Sequence, residues 1–102
     1  MTALLEAKRN EIAALCRARR VRRLEIFGSA ARDTFDSQTS DLDFLVEFDP
    51  LRPGERADAY FGLLEDLQRV FQRPVDLVME RAISNRYFRR AVEQTRQVLY
   101  AA

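Results

Sequence analysis

Two apolar runs, joined by a Gly-Ser turn and a polar loop, constrain this chain more than any other feature. The first run, Val21 to Phe27, ends in Gly28-Ser29, and the second opens on Asp41-Leu42-Asp43. Leu24 and Ile26 alternate with Glu25 and Phe27, which predicts a strand. Gly28 supplies a backbone conformation closed to other residues, so the chain turns there. Ser29 is a good N-cap, predicting a short helical piece from Ala30 to about Thr34. Backbone N–H groups and a hydroxyl at a helix start make a natural phosphate cradle. Arg32, one turn in, adds a charged donor.

Asp36 to Ser40 is a polar loop, and Asp41 to Phe48 reads as the second strand. Alternation puts Asp41 and Asp43 on one face, with Leu42, Phe44 and Val46 on the other. Adjacent carboxylates at the mouth of a buried strand repel each other unless a cation sits between them. Ligands that are all oxygen favour Mg²⁺ or Mn²⁺. A pair of acids facing solvent beside a turn is the plainer reading of Asp-x-Asp alone. Gly28-Ser29 upstream tips the balance to a nucleotide site.

At 102 residues the chain is expected to be one domain, 1–102, with a modest core. The net charge of +1 implies no global attraction to nucleic acid. One cysteine and no histidine exclude a disulfide within the chain and argue against a zinc site. With no signal peptide or membrane span in the pattern, the expected location is cytoplasmic. Lys8 is the only lysine, so arginine supplies the rest of the basic charge.

Thr2 to about Arg20 is predicted as one helix capped by Thr2, with Leu5, Ile12, Leu15 and Cys16 facing the core. Cys16 has no histidine to activate it and reads as a buried hydrophobe. Arg17, Arg19, Arg20, Arg22 and Arg23 form a basic run. It is read either as a patch for nucleic acid or an acidic partner, or as a solvated helix end. Asp49 to Gly54 is a turn-rich linker, followed by a helix from Glu55 to Phe71. Gly62 within it costs about 1 kcal/mol relative to Ala and is compatible with close packing.

Gln72 to Met79 is the third strand, opened by Pro74. Val75, Leu77 and Met79 share one face, and Asp76 and Val78 the other. Asp76 is either an edge-strand charge or a third carboxylate converging on Asp41 and Asp43. Glu47 and Glu80, further along their strands, are weaker candidates. Ser84 or Asn85 caps a last helix to about Gln94, with Ile83, Tyr87, Phe88, Ala91 and Val92 as its apolar contacts. A final strand is expected at Gln97 to Tyr100.

These motifs resemble the minimal nucleotidyltransferases (MNT), small members of the DNA polymerase β-type nucleotidyltransferase superfamily. The residues carrying the resemblance are Gly28-Ser29 with Ala31-Arg32, Ser40-Asp41-Leu42-Asp43-Phe44-Leu45-Val46 and Val75-Asp76-Leu77-Val78, with Ser84-Asn85 and Tyr87-Phe88 opening the last helix. Asp33 departs from the pattern, since many members carry glycine there. The resemblance implies an α/β (α+β) fold, a small mixed sheet flanked by helices. It also implies two Mg²⁺ ions, with Mn²⁺ as the alternative, one held by Asp41 and Asp43 and the second shared with Asp76. Gly28, Ser29 and Arg32 would hold the phosphates of ATP.

In this family such short proteins often pair with a HEPN-domain toxin, the nucleotidyltransferase being the antitoxin that adenylylates it. By analogy, transfer of AMP to a partner hydroxyl is expected here, with homo- or hetero-oligomers open. Two other classes remain: a non-catalytic antitoxin that neutralises by contact, and a transferase acting on RNA ends. A haloacid-dehalogenase-type phosphatase is a poor fit, because Leu45 stands where its threonine would be and Lys8 is far upstream.

Overall fold

The first apolar run becomes the strand β1 (Val21–Phe27), and the second becomes β2 (Leu42–Phe48). This is seen in a computed structural model that describes residues 3–31 and 41–102, Ser29 by its backbone alone. Ahead of β1 lie α1 (Ala3–Ala7) and α2 (Arg9–Ala18). After β2 come α3 (Pro53–Phe71), β3 (Val75–Met79), α4 (Arg86–Thr95) and β4 (Gln97–Ala101). Short 3₁₀ turns cover Gly28–Ala31 and Glu80–Ala82.

The strands form one mixed sheet in the order β3-β2-β1-β4. β1 runs antiparallel to β2 and to β4, while β2 and β3 are parallel. A parallel pair needs a crossover, and α3 provides it. The expected mixed sheet flanked by helices is therefore the fold.

Alternation along each strand gives the sheet two faces of different character. One carries Leu24, Ile26, Leu42, Phe44, Val46 and Leu77 against α1, α2 and α3, burying Leu5, Ile12, Cys16, Leu63, Leu67 and Phe71. Burial pushes the Cys16 thiol up to about 12, as suits an inert core cysteine. The other face carries a smaller cluster of Phe27, Leu45 and Val92, with Val78 and Ile83 against it. Only α4 covers it.

Several boundaries differ from expectation. The first helix is two, because the Lys8 N–H closes on the Leu5 carbonyl at 3.3 Å, a tighter turn that ends α1. Thr2, its expected cap, lies outside the described residues. Pro53 and Gly54 are not linker: Pro53 takes the first turn of α3, where its missing N–H is harmless. The Glu55 carboxylate accepts the Arg52 N–H at 3.2 Å. α3 closes on Gln72 in the left-handed region, φ 55°. Pro74 stands just ahead of β3 rather than in it, and its carbonyl accepts the Leu42 N–H at 3.2 Å. Asn85, not Ser84, caps α4, its Oδ1 accepting the N–H groups of Tyr87 and Phe88.

The basic run is dispersed into ion pairs rather than gathered into a patch. Arg19 pairs with the buried Asp66 at 2.8 Å, Arg20 with Glu55 at 3.3 Å, and Arg22 with Glu47 and Asp49, each at 3.6 Å. Asp66 also takes Arg69 at 2.7 Å. The Arg19 guanidinium passes so close to Gly62 that a Cβ there would stand 2.5 Å from it. That is the close approach for which this glycine is suited.

Candidate active site

The register of the sheet builds the site. Phe27 pairs with Asp43 across β1–β2, and Asp43 pairs with Asp76 across β2–β3. Residues paired this way point to the same face. Phe27, Asp43 and Asp76 thus form a row across three strands, on the face that α4 covers. Asp41 stands just ahead of β2 and is exposed, as is Asp76, whereas Asp43 is half-buried between them.

Asp43 is the focus of the electrostatics. Burial first, then the neighbouring Asp76 charge and a hydrogen bond with its carboxyl, then the charge of Asp41, push the Asp43 carboxyl up to about 6. Asp76 lies on an edge strand and neighbours Asp43, without a three-carboxylate cluster that includes Asp41 among the described residues. Among the described residues, no three His, Cys, Asp or Glu side chains are already gathered into a ligand group. The arrangement is an Asp43–Asp76 pair with the Asp41 charge within reach. An all-oxygen set of clustered anions with a raised carboxyl pKa is what a hard divalent cation relieves, so these residues fit Mg²⁺.

Gly28 is fitted against this pair. Its φ is 72°, in the region glycine favours, and a Cβ on it would lie 2.6 Å from Asp43 Oδ2. The turn and the carboxylate therefore approach as closely as the absence of a side chain allows. The Gly28 N–H is not a free donor, however: it donates to Thr95 Oγ1 at 3.0 Å. Of the expected cradle, this amide is already engaged. The segment Gly28–Ala31 is a 3₁₀ turn. Arg32, the rest of the expected helix to Thr34, Asp33 and the loop from Asp36 to Ser40 lie outside the described residues.

Glu47 and Glu80 do not join the site. They belong to an ionic network further along the same face. Arg23 pairs with Glu80 at 2.8 Å and Glu47 at 3.2 Å, and Arg96 with Glu80 at 2.8 Å. Arg96 also pairs with Glu25, which is only 5 % exposed, and with Glu93. Burial would push the Glu80 carboxyl up, but Arg96 and Arg23 outweigh it and hold Glu80 below its ordinary value. Sequence reasoning missed this network. The one signal was Glu25 at an inward position of an apolar strand, an acid that needs a cation.

The last helix also departs from expectation. Of its expected apolar contacts, Tyr87 is 72 % exposed, Phe88 40 %, and Ala91 is exposed too; α4 buries only Val92 and Thr95. A cleft of about 1050 Å³ lies at the opposite end of the sheet, where Phe48 and Met79 end β2 and β3 and Arg20, Arg52, Arg56 and Arg81 contribute. It is remote from the carboxylate row.

Residues 9–99 match the nucleotidyltransferase domain family. A Methanocaldococcus jannaschii protein, provisionally named a protein adenylyltransferase, is 32% identical over 75 residues, covering 74% of this chain and 73% of its own. A solved minimal nucleotidyltransferase, also provisionally named, shares the fold with a TM-score of 0.66 and 31% identity, covering 91% of this chain and 90% of its own. A toxin–antitoxin crystal structure with AMP-PNP superposes with a TM-score of 0.69 at 26% identity, covering 92% of this chain and 73% of that one.

Proposed function

This chain belongs to the nucleotidyltransferase domain family, and on that premise we propose that it transfers AMP from ATP to a hydroxyl of a partner protein, as the antitoxin of a HEPN-type toxin–antitoxin pair. The single observation that carries the reading is the Asp43–Asp76 pair set against Gly28. It puts two carboxylates and a side-chain-free turn in one place. The toxin–antitoxin neighbour seen with AMP-PNP supports the choice of nucleotide and partner.

Asp41 and Asp43 would hold one Mg²⁺, and Asp76 would share a second. When bound, the ions offset the charge of the phosphates and make the acceptor hydroxyl easier to deprotonate. Ser29 and Arg32 would hold the β- and γ-phosphates, with the Gly28 N–H held by Thr95. The bare Gly28 turn leaves room for them beside Asp43. Asp43, half-buried and flanked, fixes the inner position, while Asp76, exposed, meets the incoming hydroxyl and accepts its proton at a carboxylate oxygen. The hydroxyl oxygen bonds to the α-phosphorus, the bond to the bridging oxygen breaks, and pyrophosphate leaves. Phe27 at the end of the row, packed on Phe88 with ring centroids 5.9 Å apart, keeps that side of the site apolar.

The test uses the protein with its co-purifying partner, Mg²⁺ and ATP labelled at the α- or the γ-phosphate. Label on the partner from α but not γ is the expected result. Label from neither, with the partner still bound and inhibited, would replace this reading with neutralisation by contact. Label on RNA ends would replace it with the nucleic-acid reading.

A further inference from the structure

α4 buries just Val92 and Thr95 of its ten residues, too little to account for a helix that would be marginal alone. One flank of α4, beside its buried side, is apolar. Tyr87, Phe88 and Ala91 form an apolar stripe, and Arg86, Arg89 and Arg90 lie beside it, all exposed. None of the three arginines has a carboxylate in ion-pair range among the described residues. Arg89 donates to the Ile83 carbonyl at 2.9 Å, and Arg86 lies over the Tyr87 ring, 5.4 Å from its centroid. Glu93, the acid on this helix, is taken by Arg96.

The surface is continuous with the carboxylate row. Phe88 packs edge-on against Phe27, which pairs with Asp43, and Thr95 accepts the Gly28 N–H. We propose that the exposed flank of α4 is where the acceptor protein docks, through an acidic segment with an apolar anchor seated on Tyr87, Ala91 and the exposed edge of Phe88, beside Arg86, Arg89 and Arg90. The inference rests on the transfer reading of the site and names the chemistry of its acceptor. Charge complementarity selects the occupant. A second copy pairing two-fold on this face would set arginines against arginines. RNA would want open aromatic faces, but the Arg86 guanidinium already lies over the Tyr87 ring, and the Phe88 ring is packed on Phe27. What both rings offer is apolar area, the anchor of a protein contact.

The experiment uses the whole chain, without nucleotide or Mg²⁺. Fluorescence anisotropy follows a labelled random Glu–Tyr copolymer, with a Lys–Tyr copolymer and a short oligoriboadenylate as comparisons. Binding of the Glu–Tyr copolymer alone is expected, weakened about tenfold or more by Tyr87→Ser and by the Arg86→Glu/Arg90→Glu pair. Arg17→Glu, a charge reversal on α2 across the sheet, should leave it unchanged. Equal binding by the α4 variants, equal binding of the Lys–Tyr copolymer, or no binding of either copolymer would overturn the proposal. So would tighter binding of the oligoribonucleotide, or a dimer in sedimentation that the variants dissolve. A second arm adds Mg²⁺ and α-labelled ATP. Binding that follows α4 with no label transferred supports the surface and removes the transfer reading. Transfer with an unchanged copolymer KM in the α4 variants retains the transfer reading and removes the surface.

Discussion

Asp43 and Asp76 stand opposite each other across the parallel β2–β3 ladder, on one face of the sheet. Of two neighbouring carboxyls, the more buried one holds its proton to higher pH. Burial and the two neighbouring acids supply the reason, raising Asp43 from 3.8 to about 6.

That shift fixes the sign of a stability effect. The folded pKa lies above the unfolded one, so the stabilising proton is fully present below 3.8 and lost as pH rises through about 6. At neutral pH the ionised Asp43 opposes folding when no cation is bound. Asp43→Asn should therefore raise the Tm of the metal-free protein at about pH 8 and match the parent at about pH 3, while abolishing nucleotide transfer. Thermal melts in EDTA followed by circular dichroism check it. A variant that fails to fold would sink the view that Asp43 is held ready for a cation.

Mg²⁺ should do what the lost proton does. Millimolar Mg²⁺ is expected to raise the Tm of the parent by mass action, more at about pH 8 than at about pH 5, where protons compete for the pair. The rise should vanish in Asp43→Asn and shrink in Asp76→Asn. An equal Mg²⁺-induced rise in both variants would move the ion elsewhere.

Gly28→Ala meets two obstacles, a left-handed φ and a Cβ 2.6 Å from Asp43 Oδ2. Loss of about 1–3 kcal/mol of stability is expected, with nucleotide binding lost in proportion to the displacement of Asp43. Denaturant titration and equilibrium binding of AMP-PNP measure the two effects separately. A fully stable variant that binds normally would show the turn to be less tightly fitted than its geometry says.

Arg96 neutralises the buried Glu25 while also holding Glu80 and Glu93. Arg96→Met leaves the buried Glu25 with Arg23 alone, 3.5 Å away, and up to about 3 kcal/mol of stability should be lost. Adding Glu25→Leu should recover part of it, because the stranded charge is then gone. A second substitution that makes matters worse would assign Arg96 a packing role instead.

The legible parts of the chain were those whose causes are local. Asp41-Leu42-Asp43 sits in one strand and shows itself by alternation, and Gly28 ends β1 where a turn residue was due. Asp76 stayed open between two readings because its meaning depends on which strand lies beside β3, and no short-range signal carries that. The Glu25–Arg96 pair joins residues 71 apart, and the Gly28–Thr95 bond residues 67 apart. Periodicity has no purchase on either. In α4 the apolar positions were expected to be core contacts, but their spacing does not say whether a core or a partner covers them. The break at Lys8 was hidden for a different reason. Leu5 and Ile12 keep helical spacing across it, so both halves bury their apolar side on the same core.

Parallel pairing of β2 with β3 has a consequence in time. Because α3 must fold back before Asp76 can reach Asp43, the pair belongs to the slow, long-range part of folding rather than to any local nucleus. During synthesis, Asp41-Leu42-Asp43 leaves the ribosome well before its counterpart, and α4 with Thr95 follows later still. A nascent chain in this order carries Asp41 and Asp43 early and gains Asp76 and then Thr95 later, so a chain that stops short of β3 lacks the carboxylate pair.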